Sequence, residues 1–324
     1  MRQISYVKAI NEALREEMQR DERVILLGED IELSVYGPTK GLIDEFGPRR
    51  VRNTPITEQA VTGAALGASM MGLRPIVDLM QGNFLYLAMD QFANQAAKAR
   101  YMFGEQVSFP VVFIAETGAF ESAGAQHSDS PHSLFMHVGG LKVAIPSCPA
   151  DAKGLLKAAI RDDDPVMFFE PVALLAGDKG PVPEGDVVIP LGKADVKRAG
   201  KDVTVVAIGA MLREALAAAQ KLFEAGIDIE VVDPRTLVPL DRDTITASVR
   251  KTGRLIVVDE AHRTCGVASE IAALVGERCF GDLKTPVQII ASPDVPIPFS
   301  PVLEQAVIPS ARRIEAGVRS LFGG

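Results

Sequence analysis

The stretch "ITEQAVTGAALGASMMGLRPIVDLM", residues 56–80, decides the fold. Its first part is typical of a helix, and small residues recur along it where they let another backbone approach closely. These small residues are Ala60, Gly63, Ala64, Gly67 and Ala68. Its last part, "PIVDLM", is a short apolar run of the kind that forms a buried strand. The stretch therefore predicts a central helix followed directly by a strand.

The same alternation continues on both sides of this stretch. Before it, "VKAINEALREEM" (7–18) predicts a helix capped by Ser5, and "RVILLGED" (23–30) predicts a buried strand. After it come further apolar runs separated by helical stretches. The runs are "PVVFIAE", "LKVAIPS" and "PVMFFEP", and the helical stretches are "DQFANQAAKARYM" and "DAKGLLKAAIRD". Strands that alternate with helices predict a mainly parallel sheet covered on both faces.

A second block of alternation begins after a break. From about residue 173 to 201 the sequence is rich in Gly, Pro and charge, which is typical of a crossover between domains. Strands are then predicted at "DVTVVAIGA", "IDIEVVD", "RLIVVDEA" and "VQIIASPD", with helices between them and a C-terminal helix over "LEQAVIPSARRIEAGVRSLF". We predict an α/β protein with two doubly wound, mainly parallel-sheet domains at 1–185 and 202–324, joined by a linker at 186–201.

The composition restricts the function classes. A net charge of -8 without a long basic block argues against a nucleic-acid partner. No apolar run approaches the roughly 18 residues that a membrane-spanning helix needs, so we expect no membrane partner and a cytoplasmic location. Cys148, Cys265 and Cys279 form no CxxC pair, and we expect them to be buried, reduced thiols.

Three of the four histidines lie in "QHSDSPHSLFMH", residues 126–137. His127, His132 and His137 are spaced by five, so on a helix they would point about 140° apart, and Pro131 favours a loop followed by a short helix. The spacing leaves a three-histidine metal site, one functional histidine, or none. His127 follows a strand in a loop of small residues, where either a functional or a structural role is open. We expect His132 and His137 to be surface or helix-end residues.

Known phosphate-binding and nucleophile motifs are missing. The sequence has no GxxxxGK[ST] loop, no GxGxxG between a strand and a helix, and no GxSxG elbow. A doubly wound protein without its own phosphate site is either inactive alone or obtains a cofactor from elsewhere.

The stretch "NTPITEQAVTGAALGASMMGLRPIVDLM", with "PTKGL", "AQHSDSP" and "GRLIVVDEA", resembles the β subunit of the E1 component of 2-oxo acid dehydrogenases (pyruvate, branched-chain or acetoin). The resemblance implies a transketolase-like pyrimidine-binding domain followed by a transketolase C-terminal domain. It also implies thiamine diphosphate as cofactor, with its diphosphate and Mg²⁺ held by a separate α subunit in an α₂β₂ heterotetramer. The expected reaction is oxidative decarboxylation of a 2-oxo acid and reductive acylation of a lipoyl group on an E2 acyltransferase.

The same resemblance assigns site residues. Glu58 matches the glutamate that bonds N1′ of the aminopyrimidine, although a first-turn glutamate is also favoured by the helix dipole. Ile56, Met80 and Phe84 match residues that pack against the pyrimidine ring, while ordinary core packing is the alternative. His127 matches a histidine that faces the reacting end of the cofactor and assists proton transfer.

A structural potassium site is a further implication. It would use the carbonyl oxygens of Val111, Ala159, Ile160 and Asp162 together with the Asp164 side chain. The alternative is a solvated acidic loop between a helix and a strand.

Carboxylates near His127 depart from the family pattern. If Glu116, Glu121 and Asp129 face the site, they disfavour an anionic 2-oxo acid, which predicts a neutral acyloin such as acetoin. If they turn to solvent, the substrate remains a 2-oxo acid. Two other hypotheses stay open: a non-catalytic subunit that docks α onto E2, and a zinc enzyme built on the histidines.

Overall fold

The computed structural model describes residues 1–177 and 179–323 and divides the chain into two compact units. Unit 1 consists of Met1–Thr117 and Leu134–Leu191, and unit 2 of Gly118–Ser133 and the chain from Gly192 onward. The segment that carries His127 thus belongs to unit 2, although in sequence it falls between two parts of unit 1.

Unit 1 contains both predicted kinds of element. Its strands are β1 (Arg2–Ser5), β2 (Val24–Gly28), β3 (Val51–Asn53), β4 (Arg74–Gln81), β5 (Val112–Thr117), β6 (Lys142–Ala144), β7 (Val166–Pro171) and β8 (Lys179–Val182). Its helices are α1 (Tyr6–Arg20), α2 (Leu42–Phe46), α3 (Glu58–Met70), α4 (Ala97–Met102), α5 (His132–Met136), which begins in unit 2, α6 (Pro149–Arg161) and α7 (Val172–Leu175). A 3₁₀ segment spans Gly82–Ala88 and a π-helical segment spans Gln91–Ala96.

The main sheet of unit 1 is parallel, as predicted. Its strands lie side by side in the order β6-β7-β5-β4-β2-β3. The chain runs outward from β2 to β3 and then returns to β4 on the other side of β2. Ligands of doubly wound sheets bind at such a reversal, outside the carboxyl ends of the strands. This edge of β2, β3 and β4 is therefore where unit 1 can hold a ligand.

The first helix forms as the sequence predicts. Ser5 caps α1, since its hydroxyl oxygen accepts a hydrogen bond from the Lys8 N–H at 3.2 Å. The apolar positions of α1 are buried, and α1 packs against α6. Between the two helices the fully buried Glu17 pairs with Arg161 at 2.6 Å. The paired charges let a carboxylate occupy this buried position.

Unit 2 repeats the architecture with a smaller sheet. Its strands are β9 (Asp195–Arg198), β10 (Val203–Ala207), β11 (Ile229–Asp233), β12 (Thr236–Val238), β13 (Leu255–His262) and β14 (Gln288–Ser292). Its helices are α8 (Met211–Glu224), α9 (Arg242–Thr252), α10 (Val267–Cys279), α11 (Pro301–Val307) and α12 (Ala311–Ser320), with a 3₁₀ turn at Phe280–Asp282. The sheet order is β14-β13-β10-β11-β9, and β9 is the antiparallel edge strand. The order reverses between β10 and β13.

Two predictions need correction. The C-terminal stretch is not one helix but α11 and α12, because Pro309 cannot continue a helix and Ser310 caps the second one by accepting from the Arg313 N–H. Of the cysteines only Cys279 is buried, whereas Cys148 is partly exposed and Cys265 is exposed.

Among the described residues, no helix combines the length and the apolar character that crossing a membrane requires.

Candidate functional site

Glu58 lies at the carboxyl edge of β2, β3 and β4 in unit 1. It is the first residue of α3 and is partly buried. Ile56, two residues earlier, is 69% exposed, although it is a large apolar side chain. This edge of unit 1 therefore presents a carboxylate next to an exposed apolar side chain. The combination suits a flat ring with a polar edge.

Glu29 is a second carboxylate at this edge, and we did not assign it a role from the sequence. It directly follows β2, and its pKa is raised mainly by burial and further by the charges of Asp30 and Glu58. Because β2 and β3 are paired as far as Gly28 and Asn53, the two glutamates follow the ends of neighbouring strands. The position of Glu29 after a buried strand is the signal that could have identified it.

Met80 and Phe84 follow the end of β4. The pairing of β4 with β5 shifts between Asp78 and Gln81, and Met80 has a left-handed φ of 58°. The carboxylate of Asp78 accepts a hydrogen bond from the Met80 N–H at 3.1 Å, which holds this bulge. Phe84 is partly exposed in the 3₁₀ segment.

Gly28 allows β2 and β4 to approach each other at this edge. A Cβ atom at Gly28 would lie 2.5 Å from the carbonyl oxygen of Asp78, far inside van der Waals contact. The glycine therefore reflects a close backbone approach.

Buried acids lie on the neighbouring strands. Glu116 of β5 is paired in register with Glu170 of β7, and both are buried. Neither side-chain oxygen of Glu170 has a hydrogen-bond partner among the described residues. Burial, with the charge of Asp78, raises the pKa of Glu170 to about 8, and burial raises the pKa of Asp78 to about 6. Glu170 is thus a neutral acid at pH 7.

His127 lies in the segment 118–133 of unit 2, which we call the His127 loop. Its side chain is exposed, and its backbone N–H donates to the carbonyl oxygen of Gly124 at 3.2 Å. Asp129 is partly exposed, and its carbonyl oxygen accepts from the Gly118 N–H at 3.1 Å, which closes the base of the loop. Glu121 is exposed. The loop therefore presents one imidazole with two carboxylates near it in sequence.

The other two histidines differ from each other. The prediction of a loop followed by a short helix is confirmed. His132 begins that helix, which agrees with the helix-end alternative, and its side chain is buried. Its Nε2 atom lies 3.1 Å from Oδ2 of Asp259, which explains how an imidazole is accommodated there. His137 is exposed. The described residues contain no group of three or more His, Cys, Asp or Glu side chains that could hold a metal ion.

Three of the predicted potassium ligands contact cationic side chains. Nε of Arg74 donates to the carbonyl oxygen of Ile160 at 2.9 Å, and another of its nitrogens donates to that of Asp162. The carboxylate of Asp164 pairs with Arg100 and Lys142. Three of the five predicted ligand groups are thus bound by guanidinium or ammonium groups, while the carbonyl oxygens of Val111 and Ala159 accept from backbone N–H groups. Potassium stays a prediction, and these contacts do not fit it.

Comparisons with known proteins identify two successive domains in the chain. Residues 2–177 match the family described as transketolase, pyrimidine binding domain, and residues 192–314 match transketolase, C-terminal domain. Acetoin:2,6-dichlorophenolindophenol oxidoreductase subunit beta from Bacillus subtilis is 47% identical over 99% of this chain and 98% of the relative. Pyruvate dehydrogenase E1 component subunit beta from Rhizobium meliloti is 44% identical over 97% of this chain and 69% of the relative.

A solved structure agrees as well. A split-gene transketolase, described as an inactive β4 tetramer, superimposes with a TM-score of 0.83 at 26% identity, covering 99% of both chains. The predicted two-domain fold is confirmed by this likeness and by the two family matches.

Proposed function

Because the chain belongs to the family of E1 β subunits of 2-oxo acid and acetoin dehydrogenases, we propose that it works with a separate α subunit as a thiamine-diphosphate-dependent E1 component. The proposed reaction oxidises a small 2-oxo acid or acyloin and transfers the acyl group to a lipoyl group of an E2 partner. A cytoplasmic location is part of the same proposal.

The observation that carries the proposal is the position of Glu58. It begins α3 at the edge where the strand order reverses, beside the exposed side chain of Ile56 and near Glu29. This combination fits an aminopyrimidine, which needs one carboxylate at N1′ and apolar contact on its faces. When bound, thiamine diphosphate supplies a nucleophilic carbon and an electron sink. Glu58 would hold a proton at N1′, with Ile56, Met80 and Phe84 orienting the ring.

His127 is proposed to act at the substrate end. An imidazole can accept or donate a proton near neutral pH, and the exposed side chain of His127 is accessible to a ligand. In this role it would orient the substrate carbonyl and deliver a proton towards the accepting sulfur of the lipoyl group.

Uncovered apolar side chains support the need for a partner chain. Unit 1 exposes a set of them around α3 and α4, and unit 2 exposes another near α11. The set in unit 1 is Met70, Met71, Leu87, Tyr101, Met102 and Phe103, and the set in unit 2 is Phe299, Val302 and Leu303. Surfaces of this kind are typical of protein interfaces. We propose that an α subunit, which would hold the diphosphate and Mg²⁺, covers part of them in an α₂β₂ heterotetramer.

Alanine at Glu58 tests the function. We expect Glu58→Ala to lower the activity of the reconstituted α/β pair by at least about 100-fold, since general acid–base groups contribute on this scale. Glu270→Ala is the matched control, because Glu270 is also a first-turn glutamate but of α10. Full E2-linked activity in the Glu58 variant would support the docking-subunit hypothesis instead.

A neutral acyloin is a second candidate substrate. Glu121 and Asp129 flank His127 in the loop and disfavour an anionic substrate if their charges reach it. The relative named for acetoin supports the same choice. Steady-state assays with acetoin, pyruvate and branched 2-oxo acids, with dichlorophenolindophenol as electron acceptor, decide between them. A clear preference for a 2-oxo acid would remove the acyloin candidate.

A further inference from the structure

The His127 loop has an unusual backbone. Phe120 has a φ of 124° and Ser122 a φ of 54°, and both carry side chains in a region that favours glycine. Such conformations persist when surrounding contacts determine them, and they concentrate at functional sites. The loop must therefore be held by groups outside it.

One carboxylate, that of Glu304, holds the two residues of the loop whose φ is positive, Phe120 and Ser122. Glu304, in α11, is 3% exposed, and its Oε1 atom accepts hydrogen bonds from the N–H groups of Phe120 at 3.1 Å and Ser122 at 3.0 Å. The Ser122 hydroxyl lies 3.4 Å from Oε2. Two backbone donors that converge on one carboxylate oxygen fix the positions of both peptide groups, and bonds of this charged kind are stronger than neutral ones.

A second carboxylate holds the other end. The buried His132 contacts Asp259 of β13 at 3.1 Å, so the last residues of the loop are fixed to the sheet of unit 2. Both Asp259 and the neighbouring Glu260 lie near the carboxyl end of β13, where the strand order reverses. The guanidinium of Arg213 also lies over the Phe120 ring, 5.4 Å from its centre. In sequence, His127 lies midway between Ser122 and His132, the two anchored residues.

We propose that Glu304 is a positioning residue, which holds the strained start of the His127 loop so that His127 is presented in one place. The proposal rests on the proposed function, because that function assigns His127 its catalytic role. In this role Glu304 acts through its hydrogen bonds to the loop and not on the substrate itself. Asp259 anchors the other end through His132, and Glu260 accepts from the Ala119 backbone, so the loss of Glu304 frees only Phe120 and Ser122.

Hydrogen exchange and kinetics of the assembled α/β enzyme test the proposal together. We expect Glu304→Ala to speed amide exchange at Phe120 and Ser122 by about 10-fold or more, and to lower kcat by about 10-fold while KM changes by less than about 2-fold. Such a factor corresponds to one hydrogen-bond contribution of the charged kind. Glu304→Gln keeps an acceptor oxygen. We therefore expect its amide exchange rates and its kcat to lie much closer to the wild-type values than those of Glu304→Ala.

Asp241→Asn is the matched control. Asp241 also accepts two backbone N–H groups in unit 2, from Thr244 and Ala194, but it does so at the start of α9 and away from the loop. It should leave exchange at Phe120 and Ser122 and the kcat value near wild type.

Three outcomes would overturn the proposal: unchanged exchange in the Glu304→Ala variant, faster exchange with unchanged kcat, or the same kcat loss in the Asp241 control. A wild-type enzyme that oxidises none of the substrates would instead reject the proposed function. The exchange comparison would still decide whether Glu304 anchors the loop.

Discussion

Replacing Glu170 by Gln is expected to remove a pH dependence of stability. Glu170 is 1% exposed, and burial with the charge of Asp78 raises its pKa to about 8 from an ordinary value of 4.5. Between these values the native chain keeps a proton that the unfolded chain releases. The stabilising effect is therefore complete below pH 4.5 and is lost as the pH rises to 8, at up to about 1.4 kcal/mol per pH unit.

Urea unfolding at pH 6 and pH 8 measures this contribution. The difference in unfolding free energy between the two pH values should be about 2 kcal/mol smaller for Glu170→Gln than for the wild type. Glutamine has nearly the same shape and no charge, so packing should be preserved. Glu105→Gln, at an exposed glutamate of unit 1, should leave the wild-type difference unchanged. An unchanged difference in the Glu170 variant would refute the assignment of a buried neutral acid.

Three other substitutions test contacts in the two units. His132→Ala should lower the unfolding free energy by about 3 kcal/mol in calorimetry, because buried Asp259 loses its imidazole partner; a loss under about 1 kcal/mol would contradict this. Arg74→Met should lower the thermal midpoint of unfolding. Exchanging Na⁺ for K⁺ should not change the thermal midpoint of the wild type, and a rise with K⁺ would support the predicted potassium site. Gly28→Ala should lower the unfolding free energy by about 1–3 kcal/mol in urea titrations, since its Cβ would clash with Asp78, and wild-type stability would argue against the close approach.

Helices and strands could be predicted from the sequence where the information is local. The apolar spacing of α1 and its Ser5 cap lie within one short stretch, and both predictions are confirmed. The break at Pro309 is also local, but the apolar pattern continues across it and conceals it. The membership of the His127 loop in unit 2 is not local, because Glu304 is 184 residues from Phe120.

The candidate site shows the same limit. Family resemblance, and not periodicity, identifies Glu58 and His127, and their roles remain proposals. His132 is expected to be a surface or helix-end residue, and it does begin α5, but its burial depends on Asp259, which lies 127 residues away. Glu170 is an ordinary acidic residue at a strand end in the sequence. Only the pairing of the strands brings it beside Glu116, and within the described part of the chain neither of its oxygens has a hydrogen-bond partner.

Glu170 and Glu304 show that burial alone does not determine what a carboxyl group does. They are 1% and 3% exposed, so the loss of water is nearly the same for both. Glu304 receives two backbone N–H groups, which stabilise a charge there, whereas neither oxygen of Glu170 has a hydrogen-bond partner among the described residues. A glutamine should therefore replace Glu170 with little loss at pH 7, because the group it replaces is already neutral. At Glu304 the same change removes the charge that two backbone donors face. The remaining amide oxygen can still accept their hydrogen bonds, so the anchor should be weakened but not lost.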